Sequence, residues 1–273
     1  MISLLKQWLS RSGGPRTLCT PHRPAQTIEP ASAVVEPTVF HITHWKAGSQ
    51  WIHRIFHALV YDRLVLPRWD QSQFLRDPIQ SAKVYPTVYV TKEQFDAVSK
   101  PPDQRRFVII RDLRDTLVSL YFSMKISHDL PNDYAASLRE ALQVRGPEDG
   151  MLFTMDNLLP LSSAIQESWL KAGEPLLRYE DLLRDDLDIL RRVLLEHCEL
   201  SIPLDRLTQA VHANRFEALT GGRPRGQEDQ AAHERKGIAG DWRNYFTPKI
   251  KRAFKDRFGD VLCMTGYEND LDW

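Results

Sequence analysis

A single α/β domain built on a mostly parallel central sheet flanked by helices is the fold class this chain predicts, and two observations carry it. From about residue 38 onward, short runs rich in β-branched and aromatic residues alternate with longer runs of helical periodicity, the pattern of strands covered by crossover helices. Three of these runs pass from strand into helix: 38–43 into 50–60, 106–110 into 113–124, and 175–178 into 182–196. In a parallel sheet ligands collect at the carboxyl ends of the strands, so the loops after these three runs are expected to converge on one crevice. A fourth strand, 84–91, carries Pro86, which cannot donate to a ladder and so belongs in a short strand or at a sheet edge. The stretch 220–240 is dense in Gly, Pro and charge, too polar to bury and too long for an ordinary connector, and reads as a lid or a disordered loop.

With 273 residues, 42% of them hydrophobic, the chain can bury one substantial core. Basic and acidic side chains balance at 36 each, so there is no overall basic field for nucleic acid or an acidic membrane surface, and any anion site must be a local cluster. Cys19, Cys198 and Cys263 are odd in number, widely spaced and outside any metal-ligand pattern. That usage fits a reducing, cytoplasmic setting without disulfides, and no metal is expected. No run approaches the roughly 18 apolar residues needed to span a bilayer.

Residues 1–11 have apolar side chains at helical spacing interrupted by Lys6, a short amphipathic segment suited to a peripheral membrane or partner contact or else a frayed end. Residues 12–37 are rich in Pro, Ser, Thr and Gly, a composition that cannot build a core. The expectation is a flexible segment and linker over 1–37 and a folded domain over 38–273.

The first chemical signal runs from Phe40 to Phe56, where a strand passes through Lys46, Ala47, Gly48 and Ser49 into an amphipathic helix. A helix entered through such a loop aims its free N–H groups and positive dipole end at whatever sits there, and Lys46 adds a full charge. The nucleoside-triphosphatase loop places its glycines before the lysine and a Mg²⁺-binding hydroxyl after it. Here the lysine precedes the only glycine and Ala47 follows it, so the loop suits a phosphate-like group other than ATP with Mg²⁺.

A second strand ends in Arg111, with Asp112 suited to cap the helix that follows and Asp115 in capping-box position. Ser119 lies about two turns into that helix, and a guanidinium fork with a hydroxyl matches the oxygens of a terminal phosphate. Pairing of Arg111 with a nearby carboxylate is the competing reading. The third signal is Arg235, Lys236 and Gly237 followed by Asp241-Trp-Arg-Asn-Tyr-Phe, where charge, a backbone free to approach a ligand and an aromatic anchor come together.

Together these stretches resemble the sulfotransferases that use 3′-phosphoadenosine 5′-phosphosulfate (PAPS), over about residues 38–247. The family's Pro-Lys-Ser-Gly-Thr-Thr-Trp loop reads Trp45-Lys-Ala-Gly-Ser-Gln-Trp51 here, with Lys46, Gly48 and Trp51 matching, Ser49 keeping a hydroxyl, and Ala47 and Gln50 departing. The Arg and Ser eight positions apart match Arg111 and Ser119, and the Arg-Lys-Gly-x-x-Gly-Asp-Trp signature is present at 235–242. A Tyr-Glu-Asp-Leu element appears at 179–182, and Phe216 sits in a Ser-Phe-Glu-like segment. The resemblance implies a sulfotransferase fold of the P-loop-like kind and a 5′-phosphosulfate held by residues 46–51. It further implies a 3′-phosphate on Arg111, Ser119, Arg235, Lys236 and Gly237, and an adenosine bordered by Trp51, Tyr179 and Phe216.

The implied reaction is sulfuryl transfer from PAPS to a hydroxyl or amine, with Lys46 stabilising charge on the leaving phosphate and adenosine 3′,5′-bisphosphate released. Many relatives carry a Lys-Thr-His-Leu-Pro base, but here that region reads Pro86-Thr-Val-Tyr-Val-Thr-Lys92. Tyr89 falls near the histidine's place, and His44, His53 and His128 are the other base candidates; the sequence singles out none. Mixed polar and aromatic residues over 62–90 and 123–165 fit a sugar, a lipid or a small alcohol as acceptor, and favour a carbohydrate or glycolipid over a small phenol. A P-loop kinase-like phosphoryl transferase and a non-catalytic nucleotide-binding protein are the readings from other classes. The oligomeric state is not legible.

Overall fold

In the computed structural model, residues 36–68, 73–127 and 132–273 are described. The strands are β1 (Thr38–Thr43), β2 (Val84–Val88), β3 (Gln104–Ile110) and β4 (Leu176–Arg178). The helices before β4 are α1 (Ser49–Val60), α2 (Gln73–Arg76), α3 (Lys92–Ala97), α4 (Leu113–Phe122), α5 (Asp133–Gln143), α6 (Pro147–Asn157) and α7 (Leu159–Lys171). After β4 come α8 (Tyr179–Leu182), α9 (Asp186–Leu190), α10 (Leu204–Ala213), α11 (Phe216–Leu219) and α12 (Pro248–Met264).

The four strands form one sheet in the order β2-β1-β3-β4, every pairing parallel. Successive strand residues face opposite sides, and the core divides accordingly. Val39, Phe107 and Ile109 pack with Ile52, Ile55 and Phe56 of α1 and with Leu190, Leu207 and Val211 beyond it. Phe40, Ile42, Val108 and Ile110 pack on the other face with Phe95, Ile165 and Trp169. Buried Ile52, Ile55, Phe56 and Leu59 are the amphipathic stripe read from the sequence. A third cluster, around α4, α6 and α12, holds Leu117, Met155, Trp242, Phe254 and Leu262.

Pro86 lies in edge strand β2, as its missing donor requires, and the β1–β2 register shifts between Phe40 and Ile42 beside it. Its carbonyl accepts a 2.6 Å hydrogen bond from His41 Nδ1. β2 stops at Val88 rather than running to 91 because Thr91 caps α3: its hydroxyl accepts from Gln94 N, and the Gln94 side chain accepts from Thr91 N.

The long helix expected over 182–196 is instead α8, then α9, then a π-helical turn Arg191–His197, because Asp185 leaves helical geometry at φ −143°. The helix after Arg111 ends at Phe122 and continues as a π-helical segment, Ser123–Ser127. The described residues fall within one compact unit. The expectations for residues 1–11 and Cys19 lie outside the described residues. No helix among the described residues is long and apolar enough to cross a membrane.

Candidate active site

Because β1, β3 and β4 run parallel, Thr43, Ile110 and Arg178 all end on the same side of the sheet. The loop after β1 turns back through two left-handed residues, Lys46 at φ 65° and Gly48 at φ 87°. Gly48 is required twice over: a Cβ there would stand 2.9 Å from the Tyr179 ring, and the positive φ disfavours any side chain. Gly48 precedes α1 without a side-chain cap, so the first N–H groups of the helix face the loop without a side-chain acceptor. Ala47 and Ser49 are buried, and Gln50 is exposed.

Lys46 reaches from this loop to the π-helical segment, its Nζ donating to Ser123 Oγ at 3.1 Å. Burial, then the neighbouring Arg111, pulls its pKa down from 10.5 to about 8, with Arg235 adding and Glu234 opposing. Ser123 was not foreseen. It stands four residues beyond Ser119 on a helix that the sequence pattern shows only as a continuous run, and the wider turn after Phe122 is a product of packing.

Arg111 is the hub of the crevice. Its Nη1 donates to Lys46 O at 2.9 Å and its Nη2 to Ile238 O at 3.3 Å. Its guanidinium lies 4.6 Å from the Tyr179 ring centroid. Its Nε is buried without a partner, as is Trp51 Nε1; Trp51 meets Tyr179 edge to face at 6.2 Å. Ser119 is half-buried on α4.

Asp112 caps α4 by accepting from Arg114 N at 2.8 Å, but the capping box with Asp115 does not form. The Arg114 side chain occupies the Asp112 carboxylate, and Asp115 reaches across to accept from Gly240 N at 2.6 Å and Trp242 N at 2.9 Å. Arg114 is itself held between Trp242 and Trp273, 4.1 and 4.5 Å from their ring centroids.

Arg235 ion-pairs with Glu228 and Asp241, and Lys236 with Asp241 at 2.6 Å. Against the pull of burial, these two cations hold the Asp241 carboxyl below the usual range. Gly237, at φ 66°, lies so close to Phe216 that a Cβ would approach its ring to 2.5 Å. Arg223 stands 4.9 Å from the same ring and donates to the carbonyls of Gln227, Glu234 and Arg235. The stretch 220–240 is thus a built loop, with main-chain bonds from Gly226 N to Lys236 O and from Asp229 N to Arg235 O, both 2.9 Å.

The base candidates have distinct surroundings. His44 is fully buried; its Nδ1 donates to Trp45 O at 2.9 Å and its Nε2 accepts from Arg111 N at 3.1 Å. Burial lowers its pKa to about 4, and both ring nitrogens are committed, so it has no free lone pair for an acceptor proton. Tyr89 donates its hydroxyl to Ser49 Oγ at 2.9 Å, and burial pushes its pKa up to about 12; a phenol that holds its proton so firmly is no base at neutral pH. His53 is half-buried on α1, its pKa lowered by burial and by His57 and Arg54. His128 lies outside the described residues.

A cleft of about 420 Å³ opens beside Gly237, Ile238 and Ala239, bounded by Glu180, Arg225 and Tyr267. A smaller cavity of about 50 Å³ lies against Tyr89, lined by Val65, Arg68, Gln73, Phe74, Tyr85 and Thr87 among others.

Among solved structures, the chain is similar to mouse sulfotransferase SULT7A1 complexed with PAP, at 20% identity and a TM-score of 0.59, covering 85% of this chain and 88% of that one. A retinol dehydratase in complex with retinol and PAP is 15% identical with a TM-score of 0.48, covering 84% and 82%. At such identities it is the SULT7A1 likeness that shows the fold. No curated protein matches the chain in sequence. The sulfotransferase domain is matched over residues 36–266, and the chain belongs to the sulfotransferase family.

Proposed function

We propose that this sulfotransferase takes PAPS as donor and transfers its sulfuryl group to a hydroxyl, or an amine, of a carbohydrate or glycolipid acceptor. The observation that supports the donor is a set of buried donors without acceptors. Arg111 Nε and Trp51 Nε1 have no partner, and the N-terminus of α1 has no side-chain cap. Buried donors left in this way cost free energy until an acceptor arrives, and a donor with two anionic groups joined by adenosine supplies acceptors at both loops. In this reading Lys46, Ala47, Gly48, Ser49 and Gln50 line the 5′-phosphosulfate. Arg111, Ser119, Arg235, Lys236 and Gly237 line the 3′-phosphate, and Trp51, Tyr179 and Phe216 border the adenosine.

When bound, PAPS supplies a sulfuryl group whose S–O bond to the 5′-phosphate breaks as the acceptor oxygen bonds to sulfur. Lys46 carries a positive charge beside the oxygen on which negative charge grows, and the N–H groups of Gly48 and Ser49 add fixed dipoles; such preorganised donors need no reorganisation during the reaction. Tyr89, by donating to Ser49 Oγ, leaves the Ser49 proton free to point into the loop. The acceptor's proton leaves to a base that neither His44 nor Tyr89 supplies.

The acceptor class is supported by the mixed wall beside Tyr89, where Arg68, Gln73 and Thr87 interrupt Val65, Phe74 and Tyr85. The catalytic unit is proposed to span 38–273, preceded by a separate segment over 1–37. Free Cys198 and Cys263 support a reducing, cytoplasmic setting. Mass-spectrometric screening of PAPS and ATP against pooled sugars, glycolipids and phenols tests the whole reading. Sulfated sugars or glycolipids with PAPS are expected. Phosphorylated products with ATP, or nucleotide binding without transfer, would overturn it.

A further inference from the structure

His44 does more than fill the core behind the loop. It directly follows β1, at the start of the first anion-binding loop, and its neutral ring, protonated on Nδ1, has a distinct partner on each nitrogen. Nδ1 donates to Trp45 O at 2.9 Å, in the first loop. Nε2 accepts from Arg111 N at 3.1 Å, at the end of β3. Gln166, fully buried on α7, closes the arrangement: its Nε2 donates to Arg111 O at 2.7 Å and to His44 Nε2 at 2.8 Å. The orientation of the amide follows from chemistry, since a carbonyl oxygen can only accept and the amide nitrogen must therefore face Arg111 O.

Both polar groups of the Arg111 backbone are thus held by side chains rather than by a neighbouring strand, whose ladder has ended. The Arg111 side chain completes a closed circuit by donating to Lys46 O at 2.9 Å. From Trp45 through His44 to Arg111 and back to Lys46, the links are hydrogen bonds, and those from His44 to Arg111 and from Arg111 to Lys46 join the two loops. The pKa of His44, lowered to about 4 by burial, keeps the ring in the state this circuit needs; a proton on Nε2 would face two N–H donors.

We propose that His44 and Gln166 are positioning residues that set Arg111 against the loop of Lys46, fixing the spacing between the two anion-binding points and hence the selectivity for a 3′-phosphorylated nucleotide. This rests on the reading of Arg111 as the 3′-phosphate anchor. Neither residue touches the nucleotide; each acts through the Arg111 backbone. Loosening that backbone lets the guanidinium drift from where its Nε meets the 3′-phosphate, while contacts to the 5′ end persist. The signature is a loss of discrimination rather than a general loss of binding.

Calorimetric affinities for adenosine 3′,5′-bisphosphate and adenosine 5′-monophosphate are measured for wild type, Arg111→Ala, His44→Ala, His44→Gln and Gln166→Met. The ratio of the two affinities should fall about five- to tenfold in His44→Ala and in Gln166→Met, the scale of one or two lost buried hydrogen bonds. It should return towards wild type in His44→Gln, whose amide oxygen reaches the place of Nε2. The limb of the kcat profile that rises with pH should be unchanged in His44→Gln, since the residue moves no proton. An unchanged ratio in Arg111→Ala would remove the underlying reading. A ratio that collapses in Arg111→Ala yet holds in Gln166→Met and His44→Ala would overturn the positioning role alone, as would a His44→Gln variant no better than His44→Ala. Should His44→Ala fail to fold, Gln166→Met decides the matter.

Discussion

Lys46 makes a quantitative prediction because its charge in the ligand-free site is only partial near pH 8. Burial and the positive charges of Arg111 and Arg235 hold its pKa at about 8 against the opposing Glu234. A nucleotide carrying two phosphates reverses that balance, since an adjacent anion favours the charged ammonium, and returns the pKa to its ordinary range or above. Binding must therefore draw a proton from solution, amounting to about 0.1 proton at pH 7, 0.5 at pH 8 and 0.8 at pH 8.5. At pH 8.5 the phosphates do not contribute, as their second pKa of about 6 leaves them ionised, whereas at pH 7 each is still about one-tenth protonated, so the uptake is read at pH 8.5. By the same linkage, affinity for adenosine 3′,5′-bisphosphate falls about fourfold between pH 7 and pH 8.5, and about tenfold by pH 9. The assay is titration calorimetry at pH 8.5 in two buffers of different ionisation enthalpy, with Lys46→Arg as the control that stays charged throughout. Zero proton uptake by the wild type, or uptake equal to that of Lys46→Arg, would refute both the depressed pKa and the placement of Lys46 beside the bound anion.

Lys46→Ala should cut turnover by about 10²–10³, the scale of one lost preorganised donor; unchanged turnover in a sulfate-transfer assay removes it from the mechanism. Tyr89→Phe loses only the bond to Ser49 Oγ and should lower kcat by no more than about tenfold, with the pH–rate profile unmoved; a loss of about 10³ or the disappearance of the limb that rises with pH would restore Tyr89 as the base. His44, lowered from 6.5 to about 4 in the folded state, contributes stability that is present above pH 6.5 and lost as pH falls towards 4, about 2 kcal/mol by pH 5. Because buried Asp115 and Glu180 are raised and act in the opposite sense, the loss is read as the difference between wild type and His44→Gln in urea melts; parallel pH dependences in the two proteins would contradict it. Gly237→Ala, with its Cβ 2.5 Å from the Phe216 ring at φ 66°, should cost about 1–3 kcal/mol and lower Tm, and an unaltered Tm would show that the loop and Phe216 part without strain.

Legibility varied by how local the cause is. The strand that enters the Lys46 loop, the edge placement of Pro86 and the strand ending in Arg111 follow from periodicity and from what proline and glycine allow, and the structure has each of them. Gln166 carried no signal, because it reaches Arg111 from a helix 55 positions along the chain. Asp115 misled for a related reason: its spacing from Asp112 fits a capping box, but Asp112 N donates instead to Glu180 Oε1, and Asp115 accepts from Gly240 N across the crevice.

By itself, then, the amino-acid order determined a parallel α/β domain, a lysine-bearing loop ahead of a helix, and the three groups of residues that mark the family, because these depend on neighbours within a few positions. Tertiary structure alone decided that Arg111 binds the backbone of two loops, that Arg235 and Lys236 share Asp241, that Lys46 meets Ser123, that both ring nitrogens of His44 are engaged, and that burial holds the proton on Tyr89. Those outcomes depend on burial and on which polar atoms are left to pair once the helices pack, and neither quantity exists until the chain has closed on itself.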